Sequence, residues 1–475
     1  MSKLDQNGYV KIVSGMSRRD ALKMMGLSPI AAGVLASSSA PVEAKASDAK
    51  GKIVIVGGGA GGIMAMARLR RALSEPDITI IAPNEVHLYQ PGQVFMAAGE
   101  YTHEDIVGSN LDLIPDDVKW IKDEVARFEP DNNRVVTRGG ESVTYDFLVV
   151  ATGLVYHYEQ IEGLSIDMIG KNGISSVYLN DLEKGTAEGG TITWKWFNDL
   201  KQAAQKGKPR VICTQPATPI KCGGAPQKIL YLADDFLKRE GLDADFVFAL
   251  NGDKLFGVPE VNETLAKVVQ PRYGNITNKF THNLVAIDAE KKIATFETKK
   301  YTQGAYDEDL EEYEMIEEIV RVPMQYDFIH IVPPMSAPKA VVESPLAWQQ
   351  GSAQGWLEVD RETLQHTRYP NVFGIGDVCG IPLGKTGGSA RHHGPIMVAN
   401  LIAQMEKKEL TQKFDGYTVC PLKTQYGKII LAEFNYEGAA PSFPLAVGEE
   451  RWIWWAFDLY MLKPMYWHLM MRGLM

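Results

Sequence analysis

The sequence of 475 residues predicts an α/β fold with two Rossmann-like dinucleotide-binding domains and a C-terminal amphipathic region at a membrane surface. Three observations lead to this prediction. An apolar strand runs into a glycine-rich turn and a helix after residue 51, a second strand ends in Gly-Ile-Gly-Asp at residue 377, and residues 450–475 hold four of the nine tryptophans. Strand, glycine turn and helix in this order form the first unit of a dinucleotide-binding domain.

The composition is that of a globular protein. A hydrophobic content of 45% with 23% charged residues supplies a large core, and the length predicts two or three domains. The formal net charge of −10 argues against a nucleic-acid partner, because proteins that bind the phosphate backbone carry basic patches. Four cysteines are too few for a disulfide scaffold in a chain of this length, so they suit redox or packing roles.

Residues 1–46 are predicted to be a twin-arginine export signal that stays outside the fold. Arg18 and Arg19 precede an apolar run over residues 24–36, and small residues near 42–46 offer possible cleavage sites. The twin-arginine route exports folded proteins, so it suits a protein that must load a large cofactor first. The signal predicts a location at the periplasmic face of the inner membrane. The alternative is a flexible tail with an accidental arginine pair.

The glycine fingerprint lies between the strand 52–56 and the helical run 63–72. In such a motif, Gly57 permits the tight turn, Gly59 lets the backbone approach the pyrophosphate, and Gly62 lets the helix pack on the strand. The helix N-terminus stabilises the phosphate charge. An acidic residue about 20 positions later usually binds the ribose, but Ala82 stands there. Asn84 or Glu85 is predicted to substitute, unless water fills the gap.

A second set of residues is predicted to hold a flavin. The strand 145–150 ends in Ala-Thr152-Gly153, a sequence common in flavoproteins with two dinucleotide-binding domains. Asp377 is predicted to hydrogen-bond the ribityl or phosphate part of FAD. A helix beginning at Gly388 would direct the positive end of its dipole at the pyrimidine edge of the ring and favour its reduction. The alternative for 374–377 is an ordinary strand and turn.

The predicted domain order follows from these motifs. The FAD-binding domain is discontinuous, with residues 51–157 and 329–400, and the second Rossmann-like domain occupies 158–328. Within it, 160–205 is predicted to be an irregular insertion, because it is rich in Gly, Asn, Thr and Asp. The acidic run 307–318 is predicted to be a solvated surface. Residues 401–475 form a C-terminal region that is predicted to associate with a membrane.

Cys222 and Cys379 are the predicted catalytic residues, since each lies in a flavoenzyme-like sequence. Lys221 and Lys228 would lower the pKa of a thiol between them, and two sulfurs beside a flavin can exchange electron pairs through thiol and disulfide chemistry. The pair therefore indicates an oxidoreductase that acts on a sulfur compound. The alternative is two buried, inert cysteines. The other two, Cys213 and Cys420, are predicted to be structural, although the position of Cys420 is ambiguous.

Several other chemistries are excluded by the motifs. No Cys/His spacing fits zinc, so no metal site is expected, and no Cys-x-x-Cys-His sequence predicts a c-type haem. The second domain has Thr-Gln-Pro-Ala-Thr-Pro at 214–219 where a nicotinamide fingerprint would need glycines. This argues against NADH as the electron donor.

The C-terminal residues 450–475 are aromatic and rich in methionine, but Arg, Asp and Lys residues interrupt them. The apolar runs are too short to span a bilayer, whereas aromatic amphipathic helices lie in the lipid interface. Peripheral contact with a membrane is therefore predicted. The alternative is a pair of core helices or an oligomer contact.

From about Lys52 to its C-terminus, the chain resembles the membrane-associated sulfide:quinone oxidoreductases, in the branch that includes the mitochondrial enzymes. The sequences that carry the resemblance are residues 86–92 (VHLYQPG), 221–228 (KCGGAPQK), 333–336 (PPMS), 365–377 (QHTRYPNVFGIGD), 416–418, 420–422 and 430–434. The resemblance implies a glutathione reductase-like fold, FAD, and two redox cysteines that flank the flavin, matched to Cys222 and Cys379.

What the resemblance implies for function is oxidation of hydrogen sulfide to sulfane sulfur and reduction of a membrane quinone. Hydrosulfide would attack Cys379 of a Cys222–Cys379 disulfide, and Cys222 would act beside the flavin. Residues 401–475 are then the predicted region for quinone binding, with Lys385 and Lys423 on the quinone side. A homo-oligomer is the predicted assembly. A flavocytochrome c sulfide dehydrogenase that reduces a cytochrome is the first alternative, and a flavin-binding sensor or assembly protein without turnover is the second. A type II NADH dehydrogenase fits least well.

Overall fold

The computed structural model describes residues 46–180, 188–307 and 312–475. The predicted twin-arginine sequence, with Arg18 and Arg19, lies outside the described residues. Within them, the structure contains no helix that is both long enough and apolar enough to cross a membrane. The architecture is mixed α/β with two parallel Rossmann-type sheets, so the predicted fold class is confirmed.

The first parallel sheet carries the glycine fingerprint. Apolar, β-branched strands such as 52–56 suit a sheet that is buried on both faces. The five strands, in order across the sheet, are Val372–Gly374, Phe147–Val150, Lys52–Val56, Asp77–Ile81 and Lys119–Ile121. The helices Ala60–Ala72, here the fingerprint helix, and Gly387–Met405 pack against each other beside it. The carboxyl ends of the central strands meet at one edge, where such sheets bind ligands.

The second parallel sheet follows the same plan. Its strands, in order, are Ile174–Ser175, Phe328–His330, Arg210–Gln215, Asp245–Leu250 and Ile276–Lys279. Its helices are Glu188–Ala204, Ala225–Lys238, Pro259–Thr264 and Gln270–Tyr273, with a π-helix at Leu265–Val269. The strand Phe328–His330 belongs to this sheet, so the chain leaves it slightly later than the predicted boundary at 329.

The segment predicted to be an irregular insertion contains a regular helix. Residues 188–204 form 17 residues of α-helix. Trp196, Phe197 and Leu200 are buried on one face of that helix, and they supply the apolar period that packs it on the second sheet. The Gly and Thr residues at its start are weak helix formers, so packing against the sheet overrides the local preference.

Antiparallel sheets complete the molecule. A three-stranded sheet with a long hairpin consists of Asn283–Asp288, Ile293–Asp307 and Glu312–Gln325. The smaller ones are Val86–Leu88 with Val107–Ser109; Val125–Glu129, Arg134–Thr137 and Ser142–Thr144; and Val155–Tyr156 with Met335–Ser336. The short helices are Gln93–Ala97, His103–Ile106 and Lys339–Val342. The described residues of the predicted acidic surface, Asp307 and 312–318, belong to the strands of this hairpin.

The C-terminal region contains a sheet as well as helices. Its strands are Thr418–Gln425, Lys428–Asn435, Gly438–Ala439 and Glu450–Arg451. The C-terminal segment, residues 452–475, then forms the helices Trp452–Phe457 and Lys463–His468, with a π-helix at Asp458–Leu462 and a 3-10 turn at Met470–Arg472. Trp454 and Trp455 are buried against the protein, as the alternative of core helices required, whereas Trp452 is 56% exposed.

Candidate functional site

The glycine fingerprint has the geometry of a dinucleotide cradle. Gly57 has φ +118°, and a Cβ there would lie 2.3 Å from the Ala151 oxygen. A Cβ on Gly62 would lie 1.9 Å from the Gly57 oxygen, so the fingerprint helix approaches its strand more closely than any side chain permits. A Cβ on Gly59 would meet no described atom within 4 Å. The middle glycine therefore faces open space, where a pyrophosphate would lie.

The strand ends on either side of the cradle add open polar groups. Thr152 Oγ1 is buried and has no hydrogen-bond partner among the described residues. Gly153 has φ +68° and Gly376 has φ +80°, and a Cβ on either would meet open space in the described part of the chain. The Gly376 amide donates to His393 Nδ1 at 3.1 Å. A buried hydroxyl without a partner needs an explanation, and a dinucleotide beside these turns supplies one.

The predicted ribose partners are largely engaged by the protein itself. Asn84 Nδ2 donates to the Val86 oxygen at 2.6 Å, and Glu85 forms an ion pair with Lys122. Asn110, which the sequence did not suggest, donates from Nδ2 to the oxygens of Gly58 at 3.2 Å and Asn84 at 3.1 Å. Asn110 lies 28 residues after Ala82 in the sequence, outside any spacing that the fingerprint motif defines.

The helix that begins at Gly387 contacts the C-terminal sheet. A Cβ on Gly388 would lie 2.2 Å from Val419 Cγ1, so this glycine permits contact with the C-terminal sheet. Asp377 is half-buried, and burial raises the pKa of its carboxyl while Lys221 and Lys385 oppose that rise. Two ammonium groups thus stand beside the carboxyl that was predicted to contact FAD.

The structure brings Cys222 to Cys420. Their Sγ atoms are 3.4 Å apart, and Lys228 Nζ donates to Cys222 Sγ at 3.1 Å. Cys222 has φ +52°, and its amide donates to the Lys385 oxygen at 2.8 Å. A Cβ on Gly224 would lie 2.7 Å from Cys420 Sγ, so a glycine there is what lets the second sulfur approach. Both cysteines are reduced at this separation, since a disulfide needs about 2.05 Å.

The two sulfurs are electrostatically unequal. The hydrogen bond from the Cys420 thiol, together with the Lys228 ammonium, holds the pKa of Cys222 well below its usual range, although burial opposes this. The same hydrogen bond and burial raise the pKa of Cys420 well above its usual range. Of the two sulfurs, Cys222 is therefore the one that loses its proton more readily, and Cys420 is the one that keeps it. In the reduced pair, the sulfur that is more readily ionised is the nucleophile. In a disulfide, the sulfur whose thiol has the lower pKa is the better leaving group.

The predicted pairing of Cys222 with Cys379 stays a prediction, and the sulfur that the structure places against Cys222 is that of Cys420. Cys379 is 1% exposed and belongs to the core of the first sheet, and burial raises the pKa of its thiol to about 12. A Cβ on Gly374 would lie 2.9 Å from its Sγ, so the sulfur packs back on the strand that precedes it. The position after Asp377 places the chain near the flavin side but points this sulfur into the core.

The two lysines predicted on the quinone side occupy different surroundings. Lys385 Nζ donates to the oxygens of Asp377 at 2.6 Å and Cys379 at 2.9 Å, and burial lowers its pKa to about 8. Lys423 is buried, and its Nζ lies 2.6 Å from Asp458 Oδ2 of the C-terminal segment. Burial lowers the pKa of Lys423, while Asp458 opposes the shift. Lys385 thus stabilises the turn after Gly376 through hydrogen bonds to its backbone oxygens. Lys423 links the C-terminal sheet to the helices that follow through its ion pair with Asp458.

Tyr178 was not found from the sequence, because its loop carries no motif. Its hydroxyl is buried and has no hydrogen-bond partner among the described residues. Burial raises its pKa, and Cys222 and Cys420 contribute to that rise, so the ring lies close to both sulfurs. Lys221 Nζ lies 5.8 Å from the same ring. A polar group is thus available beside the sulfur pair.

Known proteins resemble this chain over most of its length. Residues 51–188 match the family described as "Pyridine nucleotide-disulphide oxidoreductase". The chain is 37% identical over 427 residues to the mitochondrial sulfide:quinone oxidoreductase of Dictyostelium discoideum, covering 89% of this chain and 86% of that protein. The chain belongs to the sulfide:quinone oxidoreductase family. The mouse mitochondrial sulfide:quinone oxidoreductase is 34% identical, with the same coverage of 89% and 86%.

A solved structure of the sulfide:quinone oxidoreductase from Aquifex aeolicus shares the fold. It superposes with a TM-score of 0.67 at 21% identity, covering 88% of this chain and 92% of that chain. The resemblance to the sulfide:quinone oxidoreductase family is therefore confirmed. The two eukaryotic relatives are mitochondrial proteins, so the periplasmic location stays a prediction.

FAD is the dinucleotide that this family binds, and the prediction of FAD is confirmed. The residues present fit it: the open space at Gly59, the free Thr152 hydroxyl and the open turns at Gly153 and Gly376 lie along one edge of the first sheet. Gly57 and Gly62 bring the backbone into the close packing that this cofactor's pyrophosphate requires.

Two alanine substitutions should separate the packing role of the fingerprint from its contact with FAD. Gly62→Ala should lower the free energy of unfolding by roughly 3 kcal/mol, because its methyl group overlaps the Gly57 oxygen. Gly59→Ala should fold normally but retain less FAD, because its methyl group enters only the cofactor's space. Circular dichroism and the flavin-to-protein absorbance ratio measure the two effects. Gly207→Ala, at an exposed turn with free space, is the control; full FAD content in Gly59→Ala would contradict this assignment.

Proposed function

We propose that the protein oxidises hydrogen sulfide to sulfane sulfur at Cys222 and Cys420 and passes the electrons to a membrane quinone. The observation that carries the proposal is the 3.4 Å contact between two sulfurs, whose pKa values are shifted in opposite directions. It is supported by the names of the relatives, which are sulfide:quinone oxidoreductases. Cys420 takes the role that the sequence had assigned to Cys379.

The proposed cycle starts from a Cys222–Cys420 disulfide. Hydrosulfide attacks the Cys420 sulfur, the S–S bond breaks, and Cys222 leaves as the thiolate while Cys420 carries the persulfide. Cys222 is the better leaving group, because its thiol has the lower pKa. A nucleophilic acceptor then removes the outer sulfur, and Cys420 becomes a thiolate. Joining the two thiolates again as a disulfide releases two electrons.

The surrounding residues prepare this chemistry. FAD, when bound, supplies the acceptor of the two electrons. Lys228 holds Cys222 in the anionic form, and Lys221 adds a second positive charge beside the flavin-side carboxyl of Asp377. Tyr178 offers a free hydroxyl to a sulfur anion beside the pair. The proposed cofactor contacts remain the fingerprint glycines with Thr152, Gly153, Asp377 and Gly388. The proposed ribose contacts remain Asn84 and Glu85, through the polar atoms that Val86 and Lys122 leave available.

A quinone is the proposed final acceptor, reached from the C-terminal region. Lys423 lies at the junction with the C-terminal segment, which supports its place on the quinone side, whereas Lys385 is held by backbone oxygens nearer the flavin. Exposed apolar side chains near the C-terminus support peripheral contact with lipid. They are Trp452, Leu469 and Leu474, with Leu111 beside the end of the chain.

Anaerobic titration with sulfide tests the proposal. One mole of sulfide per mole of bound FAD should bleach the flavin absorbance. A short-chain quinone should then restore the absorbance within one turnover. Reoxidation by cytochrome c but not by quinone would instead support the flavocytochrome type of dehydrogenase. A flavin that sulfide does not bleach would contradict the proposed activity and leave a sensor or assembly protein. Sedimentation of the holoprotein with lipid vesicles tests the proposed peripheral contact separately.

A further inference from the structure

A buried chain of hydrogen bonds joins the C-terminal segment to the glycine fingerprint. Tyr466, on the helix Lys463–His468, contacts His87 with its hydroxyl 2.6 Å from Nε2. His87 Nδ1 lies 2.9 Å from Asn110 Oδ1, and Asn110 Nδ2 donates to the Gly58 oxygen at 3.2 Å. All three side chains are buried, with exposed fractions of 8% for Tyr466, 2% for His87 and 0% for Asn110.

Only one assignment of donors and acceptors fits these hydrogen bonds. Burial lowers the pKa of His87 to about 4, so the imidazole is neutral and has one donor and one acceptor. Asn110 uses both amide protons on backbone oxygens, of Gly58 and Asn84, so its Oδ1 must accept from His87 Nδ1–H. His87 Nε2 then accepts from the Tyr466 hydroxyl. Loss of that hydroxyl would leave a buried acceptor unpaired, which is costly.

This series of hydrogen bonds ends at the cofactor cradle. Gly58 stands between the two fingerprint glycines Gly57 and Gly59, and a Cβ on Gly58 would lie 3.1 Å from Asn110 Nδ2 and 2.7 Å from the Ala82 Cβ. The amide of Asn110 is therefore packed directly on the loop whose backbone faces the pyrophosphate. A shift of Asn110 would move that loop.

The position of Tyr466, where the series of hydrogen bonds begins, depends on how the C-terminal segment packs on the protein. Trp467 packs on the ribbon 107–109, where a Cβ on Gly108 would lie 2.5 Å from its ring. Tyr466 contacts the ring of Tyr89 with centroids 5.0 Å apart. Gly473, with φ +68°, lies against the fingerprint helix, where a Cβ would be 2.8 Å from the backbone of Ala67. The segment thus touches both the helix that follows the cradle and the strand Val107–Ser109, which pairs with the strand that bears His87.

We propose that Tyr466 and His87 are positioning residues for FAD, and that docking of residues 463–475 and binding of FAD strengthen each other through the chain Tyr466–His87–Asn110–Gly58. The docked segment holds the cradle in the shape that the pyrophosphate requires. By linkage, FAD in the cradle stabilises the docked segment by the same factor. The element with two states is the segment itself, docked or released.

The test uses the holoprotein carrying Tyr466→Phe. The rate of FAD release, followed by the rise of flavin fluorescence on dilution, should increase on the order of 10-fold, a usual size for coupling between two sites. Hydrogen exchange of the 463–475 amides should speed up in the same variant, and excess FAD should slow it again. Tyr460→Phe is the matched control, because Tyr460 is a half-buried tyrosine of the same segment that takes no part in the hydrogen bonds from Tyr466 to Gly58. This variant should behave as the unchanged protein.

Two outcomes would overturn the proposal. One is FAD release at the unchanged rate in Tyr466→Phe, even if thermal unfolding occurs at a lower temperature, since a purely structural role lowers stability without loosening the cofactor. The other is an equal increase in Tyr460→Phe. Neither measurement uses sulfide or quinone, so the result is independent of the proposed activity.

Discussion

Cys420→Ser should abolish reduction of the flavin by sulfide, with a loss of about 10³-fold or more in turnover, as is usual when a nucleophile of a covalent cycle is removed. Without the Cys420 sulfur, no disulfide forms with Cys222 and no persulfide is held. Cys222→Ser should lose activity to the same degree, and the double variant should lose little more, because the two sulfurs act as one unit. Stopped-flow absorbance of the flavin after anaerobic mixing with sulfide measures the rate.

Cys379→Ser is the matched control for this experiment. Its sulfur is packed in the core of the first sheet, so the substitution should cost some stability but leave the rate of flavin reduction within a few-fold of the unchanged protein. A Cys379→Ser variant that folds, binds FAD and is inert to sulfide, beside an active Cys420→Ser variant, would restore the pairing that the sequence first indicated.

Lys423→Met should be among the most destabilising substitutions that keep the site's sulfurs in place. It removes the partner of Asp458, whose carboxylate is as deeply buried as the ammonium, with 3% side-chain exposure for each. Breaking a buried ion pair from one side costs roughly 3–5 kcal/mol, because the remaining charge is left uncompensated. Chemical denaturation of the holoprotein in constant excess FAD measures the loss.

Two further variants show whether burial is the cause. Lys195→Met removes an exposed ion pair with Asp199, with 68% and 43% side-chain exposure, and should change stability by less than about 0.5 kcal/mol. Lys423→Met combined with Asp458→Leu removes both buried charges and should recover most of the loss. An equally large loss in the double variant would show that the pair is not the reason for the effect.

The parts of this fold with local signatures could be predicted from the sequence. The strand, glycine turn and helix at residues 52–72 determine their own conformation. The cradle at Gly57, Gly59 and Gly62 follows from sterics that act within a few residues. The family could be recognised because long, specific sequences extend over most of the chain.

The partner of Cys222 could not be found in this way. Cys420 is 198 residues away and lies in the strand Thr418–Gln425, which pairs with Lys428–Asn435. Nothing next to Cys420 in the sequence marks it as reactive, since its surroundings come from the helix Ala225–Lys238 and from Gly224. Cys379, by contrast, follows a flavoprotein-like turn, and that local signature made it the stronger candidate. The chemistry of a thiol depends on which groups the fold brings to it, and here those groups are remote.

The contact of Gly473 with Ala67 has a consequence for synthesis of the protein. The helix behind the cradle is among the first elements to leave the ribosome, whereas the residue that covers it is translated about 400 residues later. At roughly 5–20 residues per second, that interval lasts on the order of 20–80 s. Until then, the face of the helix that Gly473 contacts stays uncovered, so tight binding of FAD is expected to be a late event in synthesis of the protein.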